Sequence, residues 1–390
     1  MKLTKTLALV LAAVMCLMMF ASCGGTSGNN ETDGDDTIYL GLTGPLTGPY
    51  AIYGQAAANG AEIAVAEINS KGGIKLAFKT EDDQGDGEIA INAYHSLLDW
   101  GMDALIGTVT SGACIAVSAE TNEDRIFTLT PSASSADVTK GKDNTFQVCF
   151  SDPNQGTGSA KYMGTNYADK KIAIIYRNDD AYSQGIRDTF VAEAANQNLT
   201  IVYEGTFTEA TQTDFSVQLT AAQSAGADLI FLPIYYQPAS VILTQADQMG
   251  YKPTFFGVDG MDGILTLENF DTALAEGVML LTPFSADATD DLTVNFVKTY
   301  QDKYGEVPNQ FAADGYDSIY VFVQAYEAAN CTPDMTPAEM CEAIIAVMPT
   351  IKYTGLTGEG LTWNAEGEVS KNPLAVVIKD GVYVTPSAND

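Results

Sequence analysis

"KKIAIIYRNDDAYSQGIRDTFVAEAANQNLTIVYEGTF", residues 170–207, is the stretch on which the fold turns. Its opening, KKIAIIYRND, holds the apolar run AIIY, as a strand buried on both faces requires. SQGIRDTFVAEAANQ then has helical spacing, and TIVYEGTF reads as a second strand. Strand, helix and strand in that order make a β-α-β unit, whose two strands lie parallel with a helix across one face.

The rhythm continues on both sides. Downstream, DFSVQLTAAQSAG reads as a helix, ADLIFLPIYY as a strand, PASVILTQADQMG as a helix and PTFFGVDG as a strand. Upstream, TIYLGL (37–42), IKLAFKTEDD, MDALIGT and RIFTLT read as strands. Helices at YGQAAANGAEIAVAEINSKGG, GEIAINAYHSLLDWG and GACIAVSAETNED alternate with them. Two series, 37–150 and 157–282, therefore predict an α/β protein of two doubly wound parallel-sheet lobes. Residues 283–390 are too few and too mixed for a third lobe, and read as additions to both. The expected division is 37–155 plus 285–362 for lobe 1 and 156–284 plus 363–390 for lobe 2. Such a chain crosses between lobes more than once, through a multi-strand hinge near Ser151–Gly156, Thr282–Ser285 and 362–370.

Residues 1–22 read as a signal peptide. Lys2 and Lys5 precede the apolar run Leu7–Ala21, which is short for a bilayer span and suits a signal h-region. The run ends at FASC, which resembles a lipoprotein signal with Cys23 as the lipidated residue; an ordinary cleaved signal is the alternative. Residues 23–36, rich in Gly, Ser, Asn and Asp, suit a flexible tether. Lipidation of Cys23 is the preferred reading, because a tether has a use only if its start is held.

Acidic residues outnumber basic ones 50 to 19, for a formal net charge of -31. That balance disfavours nucleic acid, whose phosphates need a basic surface. No C-x-x-C pair occurs, which removes the usual zinc and thioredoxin-like motifs. Cys331 and Cys341 flank a short segment and either pair in the oxidising exterior or stay as buried thiols. The single histidine, His95, reads as a helix-surface residue, and one histidine cannot supply an H-E-x-x-H pair. Neither a G-x-S-x-G elbow nor a P-loop occurs, and GLTGPLTG lacks the G-x-G-x-x-G spacing. DDQGDG (82–87) starts like a calcium loop, but its bidentate Glu would fall on Ala93. No metal, no cofactor and no bond chemistry are expected.

In open α/β sheets ligands bind beyond the carboxyl ends of the strands, where helix N-termini present free amides. GTVTSGAC places Thr110 and Ser111 there, and TPSASS places Ser132, Ser134 and Ser135. Ser111 and Ser134 fall at predicted helix starts. Hydroxyls, small side chains and free amides suit a carboxylate, although the same serines also suit ordinary helix capping. The second series presents Tyr182 at a helix start, Tyr235 and Tyr236 at a strand end, and Asp259 in FGVDG at another. Asp259 can face a cation, and Tyr53 adds a ring from the first series. An anion site in one lobe and a cation site in the other fit an amino acid zwitterion.

At these residues the chain resembles the type I periplasmic binding proteins, specifically the leucine/isoleucine/valine-binding proteins of bacterial ABC importers. GLTGPLTGPYAIYGQAAANGAEIAVAEINSKGGI, TPSASS, AIIYRNDDAYSQG, DFSVQLT and DGYDSIY carry the resemblance. It implies that Ser111 and Ser134 hold the ligand carboxylate and that the Ser132 carbonyl takes the ammonium. It also implies aromatic contacts from Tyr182 and Tyr235, an ammonium partner in Asp259, and a side-chain pocket shaped by Tyr53. Asp259 stands where the branched-chain proteins usually have Glu, Ser134 where Thr is common, and Tyr53 often where Trp is found. The expectation is a monomeric lipoprotein on the outer face of the cell membrane. It would capture an amino acid, of branched-chain or similar type, and hand it to the permease subunits of an ABC importer. A sensory module of the same fold, or an enzyme of unrecognised type, are the rivals.

Overall fold

A computed structural model describes residues 36–386. The signal-peptide and Cys23 readings lie outside these residues. Two separate sheets with helices on both faces form the body.

The first sheet joins β1 (Thr37–Gly44), β2 (Lys75–Asp82), β3 (Ala104–Leu105), β4 (Phe127–Thr130) and β5 (Thr145–Gln147) in the order β2-β1-β3-β4-β5. Every pairing is parallel. The connecting helices are α1 (Ala51–Lys71), α2 (Gly87–Trp100) and α3 (Ser111–Asp124). Asp86 caps α2 by accepting from the amides of Glu88 and Ile89, and Asp82 accepts from Leu46 N at 2.8 Å. The aspartates of the DDQGDG turn thus tie chain ends, as a strand-to-helix turn should. His95 is half-exposed on α2, 3.9 Å from Glu120.

The second sheet runs β14-β13-β10-β9-β8-β6-β7. Its strands are β6 (Lys171–Arg177), β7 (Thr200–Phe207), β8 (Leu229–Leu232), β9 (Thr254–Gly257), β10 (Met279–Thr282), β13 (Leu374–Lys379) and β14 (Val382–Val384). The first five are mutually parallel, and β13 and β14 add an antiparallel edge. On one face lie α4 (Asp152–Asn166) and α5 (Ala181–Asn196); on the other, α6 (Ser216–Ser224) and α7 (Tyr236–Gln248). The AIIY run explains this sandwich. Ile172 and Ile174 enter the cluster under α4 and α5, and Ala173 and Ile175 enter the opposite one. Phe190 stacks on Phe231 at 4.2 Å, both fully buried. A side chain of that size, fully removed from water, contributes about 1.5–3 kcal/mol.

Three further helices follow: α8 (Asp291–Tyr304), α9 (Gln310–Ala328) and α10 (Pro337–Val347), then the hairpin β11 (Tyr353–Gly355) and β12 (Gly358–Leu361). Helix α9 returns to the first lobe and packs against α1 through paired glycines. A Cβ on Gly60 would run into the carbonyl oxygen of Ala312, and one on Gly315 into that of Ala57. The chain therefore passes between sheets after β5, after β10 and before β13. Before the last passage, Trp363 Nε1 donates to Gln147 O at 2.7 Å, and Lys371 Nζ pairs with Asp314 of α9 at 2.7 Å. Residues 363–371 thus stay with the first lobe. Asp314 and Lys371 are both buried. Cys331 and Cys341 are buried free thiols, which decides between their two readings.

Candidate functional site

The turns at the carboxyl ends of both sheets face one another across a single cavity. Tyr53, Ser111, Ser132, Ser134, Tyr182, Tyr235 and Asp259 all line it, together with Val109, Thr110, Gly260 and Phe311. The first seven come from six different turns of the sequence, and the fold brings all seven together.

On the first lobe's side the centre is the N-terminus of α3. Ser111 is the first helical residue, and no side chain caps the helix. The Thr110 hydroxyl is buried without a partner. The first amides of a helix have no intrahelical acceptor, and here the usual substitute is also missing. Ordinary capping is therefore not what these hydroxyls do. Ser111 Oγ accepts from Ser135 N at 3.1 Å, which leaves its proton free to donate. The uncapped amides and this hydroxyl make a corner of free donors with no formal positive charge, chemistry that suits an anion.

Ser134 sits differently from the expectation. It does not open a helix: residues 131–144 run as an extended loop and turns until β5. The cause is local hydrogen bonding. Thr130 Oγ1 accepts from Ala133 N at 2.9 Å, and Gln147 Nε2 donates to the carbonyls of Ala133 at 2.8 Å and Ser135 at 3.1 Å. Backbone groups held by side chains in this way are not available to a helix. Ser134 still reaches the cavity, and its carbonyl accepts from Asp152 N at 2.9 Å.

The second lobe contributes a carboxyl and a stack of rings. Asp259 follows β9 in a single 3-10 turn, 3% exposed, and Oδ1 accepts from the Tyr182 hydroxyl at 2.5 Å. Its amide donates to Gln155 Oε1 at 3.3 Å. Burial raises its pKa to about 7, against the opposing effect of these hydrogen bonds. Asp314 is raised to about 6 by burial, partly offset by Lys371. Asp152, wholly buried, is raised as well, through burial and against a hydrogen bond from the Ser134 side chain. No basic side chain lines the cavity. Asp259 is the one acidic side chain that lines it, from the second lobe, where an opposite charge would favour its ionised form.

Tyr182 and Tyr235 stack at 4.7 Å with their planes 12° apart, and Tyr53 packs on Tyr235, Tyr236 and Phe311 at 5.4, 4.9 and 4.6 Å. The same tyrosines join the lobes. Tyr53 donates to Gly260 O, Tyr236 donates to Pro49 O at 2.7 Å, and Arg177 Nη1 donates to the Tyr50 hydroxyl at 3.0 Å. Closed in this way, the cavity measures about 10 Å³, room for little more than a water molecule.

Asp152, Gln155 and Phe311 were missed from sequence. SDPNQG reads as a loop, yet Ser151 precedes α4 with Pro153 in its first turn, a helix-start signal that was present. Phe311 arrives on α9 from the far end of the chain, and nothing local marks it.

Two doubly wound lobes with a polar, tyrosine-lined cavity between their strand ends define a two-lobed ligand-closing receptor of the type I periplasmic-binding-protein class. The family model described as "Periplasmic binding protein" matches residues 37–381, and the chain belongs to that family. The Leu/Ile/Val-binding protein BraC3 of Rhizobium johnstonii is 34% identical over 228 residues, spanning 57% of this chain and 62% of that protein. The crystal structure of a leucine-binding protein from Thermotoga maritima superposes with a TM-score of 0.80 at 25% identity, covering 90% of this chain and 98% of that one. LivJ of Streptococcus pneumoniae, a branched-chain amino acid transporter substrate-binding protein solved with isoleucine, gives 0.79 at 27% identity, covering 90% and 100%.

Proposed function

We propose that this chain is an extracytoplasmic solute-binding protein that closes on one free amino acid and passes it to an ABC importer, without bond chemistry. The observation carrying the proposal is the polarity of the cavity. An uncapped helix N-terminus with Thr110 and Ser111 faces, from the other lobe, the buried carboxyl of Asp259. The α-carboxylate is assigned to Ser111, Ser134 and the α3 amides. The ammonium is assigned to Asp259 and the Ser132 carbonyl, with Tyr53, Tyr182 and Tyr235 around the side chain.

The relatives bring leucine, isoleucine and valine forward as the first ligands to try. Entry requires the lobes to part, because the closed cavity is smaller than any amino acid. A ligand touching both lobes then favours the closed state by its differential affinity. The hinge is assigned to the passages after β5, after β10 and between Lys371 and Leu374, the last a few residues beyond 362–363. A lipid on Cys23 and the 23–36 tether would hold the receptor near the permease.

The test is a thermal-shift screen against the twenty amino acids and the amide of any hit, since a ligand that binds only the folded state raises its melting temperature. A shift from one or a few amino acids and none from the amide supports the proposal. No shift from any, or equal shifts from acid and amide, refutes it.

A further inference from the structure

Asp259 opens the turn 259–262 at the carboxyl end of β9, and both lobes hold that turn. From its own lobe, the Tyr182 hydroxyl accepts from Gly260 N at 2.9 Å, and the Tyr383 side chain hydrogen-bonds the Asp262 carboxyl. From the other lobe comes Gln310, the first residue of α9. Its amide donates to Asp262 Oδ2 at 3.1 Å and its Nε2 to Asp259 O at 3.2 Å. Its side chain also hydrogen-bonds the Asp262 carboxyl.

Gln310 is 1% exposed, yet it does not line the ligand cavity, although its neighbour Phe311 does. A buried side-chain amide has to find partners for its donors, and here those partners lie on the opposite lobe. The carboxyl of Asp262 also suits the positive end of a long helix. The close packing at Gly60 and Gly315 fixes α9 to α1, so Gln310 moves with the first lobe. Asp259 and Asp262 move with the second. The bonds between them therefore exist only while the lobes are closed.

One short turn thus serves two contacts. The Asp259 carboxyl reaches into the cavity, and behind it the Asp259 carbonyl and the Asp262 carboxyl meet the first lobe. A ligand that draws Asp259 into place presents the back of the turn to Gln310, and Gln310 in return holds Asp259 against the ligand. Because each contact favours the same closed arrangement, each strengthens the other. The geometry points to Gln310 as a positioning residue that couples ammonium recognition at Asp259 to closure of the lobes and slows release, without touching the ligand. This rests on the reading of Asp259 as the ammonium partner.

The probes are L-leucine, L-isoleucine and L-valine, and the tightest binder is carried through on the full-length protein. Calorimetry gives Kd, and a chase of the radiolabelled amino acid with excess unlabelled gives the dissociation rate; together they give the association rate. Gln310→Met keeps the side-chain length and the backbone amide and removes only the side-chain bonds. It should raise the dissociation rate roughly fivefold or more and leave the association rate within about twofold. Asp262→Ala removes the acceptor from the other lobe, should act in the same direction, and serves if Gln310→Met does not fold. A merely structural role for Gln310 would lower the melting temperature and leave release unchanged. Asp259→Asn tests the underlying reading and should weaken binding roughly thirtyfold or more. If none of the three amino acids binds, or if Asp259→Asn binds like wild type, the ammonium reading fails and the inference falls with it. If Asp259→Asn loses binding while Gln310→Met and Asp262→Ala release the amino acid at the wild-type rate, the inference alone is overturned.

Discussion

Replacing Asp259 by Asn isolates the charge at the centre of the proposed site. The amide keeps the size of the side chain, and its oxygen can still accept from the Tyr182 hydroxyl. What disappears is the only carboxylate assigned to the ligand ammonium. An ammonium left unpaired in a desolvated cavity costs about 2–5 kcal/mol of binding, roughly a thirty- to several-thousand-fold loss. The unliganded protein should respond in the opposite sense. Burial raises the Asp259 pKa from 3.8 to about 7. The folded state therefore binds the proton more tightly than the unfolded state, and stability falls as pH rises through that window. At about 1.4 kcal/mol per unit, the ionised group costs the apo protein on the order of 4 kcal/mol above pH 7. Asp259→Asn removes this cost, so the apo variant should be at least as stable as wild type at pH 7.5. A ligand ammonium needs the ionised form, so wild-type affinity should rise roughly thirtyfold from pH 5.5 to pH 8, and the variant should show no such rise. Calorimetric titration with the preferred amino acid and urea melts at several pH values measure these outcomes. Affinity within threefold of wild type, or an apo variant that is clearly less stable at pH 7.5, would refute the reasoning.

Ser111→Ala should weaken amino acid binding by about 1.5–3 kcal/mol, the worth of one hydrogen bond to a charged group, in the same titration. Lys371→Met should destabilise the protein by about 3–5 kcal/mol in urea unfolding at pH 8, because it strands the buried Asp314 carboxylate. The double change Lys371→Met with Asp314→Leu should recover much of that loss. Cys23→Ser should move the protein from the membrane to the soluble fraction on cell fractionation, since acyl chains contribute about 0.8 kcal/mol per buried CH₂.

The parallel sheets were legible because strands buried on both faces must be apolar without interruption, as AIIY and LIFL are. The site was legible because such sheets place ligands at their strand ends, so Ser111, Tyr182, Tyr235 and Asp259 could be read from position alone. Ser134 defeated the same logic at the level of helix starts. Thr130 and Gln147 take up the backbone of its loop, and Gln147 lies on a strand whose pairing depends on the whole sheet. MDALIGT shows another limit: only Ala104 and Leu105 pair, although its composition suits a full strand. The long-range partners, Phe311 against Tyr53 and Lys371 against Asp314, exist only after the chain has doubled back. No window of sequence contains both members of either pair.

The packing of α9 against α1 has a consequence for the order of events during biosynthesis. The helix that Gly60 and Gly315 allow to seat so closely is encoded some 250 residues after its partner, and the Lys371 that neutralises Asp314 comes later still. The first lobe to be synthesised is thus unable to finish until almost the last segment has emerged. The second lobe is contiguous from α4 through β10 and lacks only its edge strands β13 and β14 at that stage, so most of its sheet can assemble while the first lobe is still waiting, and a nascent chain halted near residue 290 would leave the α1 face of the first lobe uncovered.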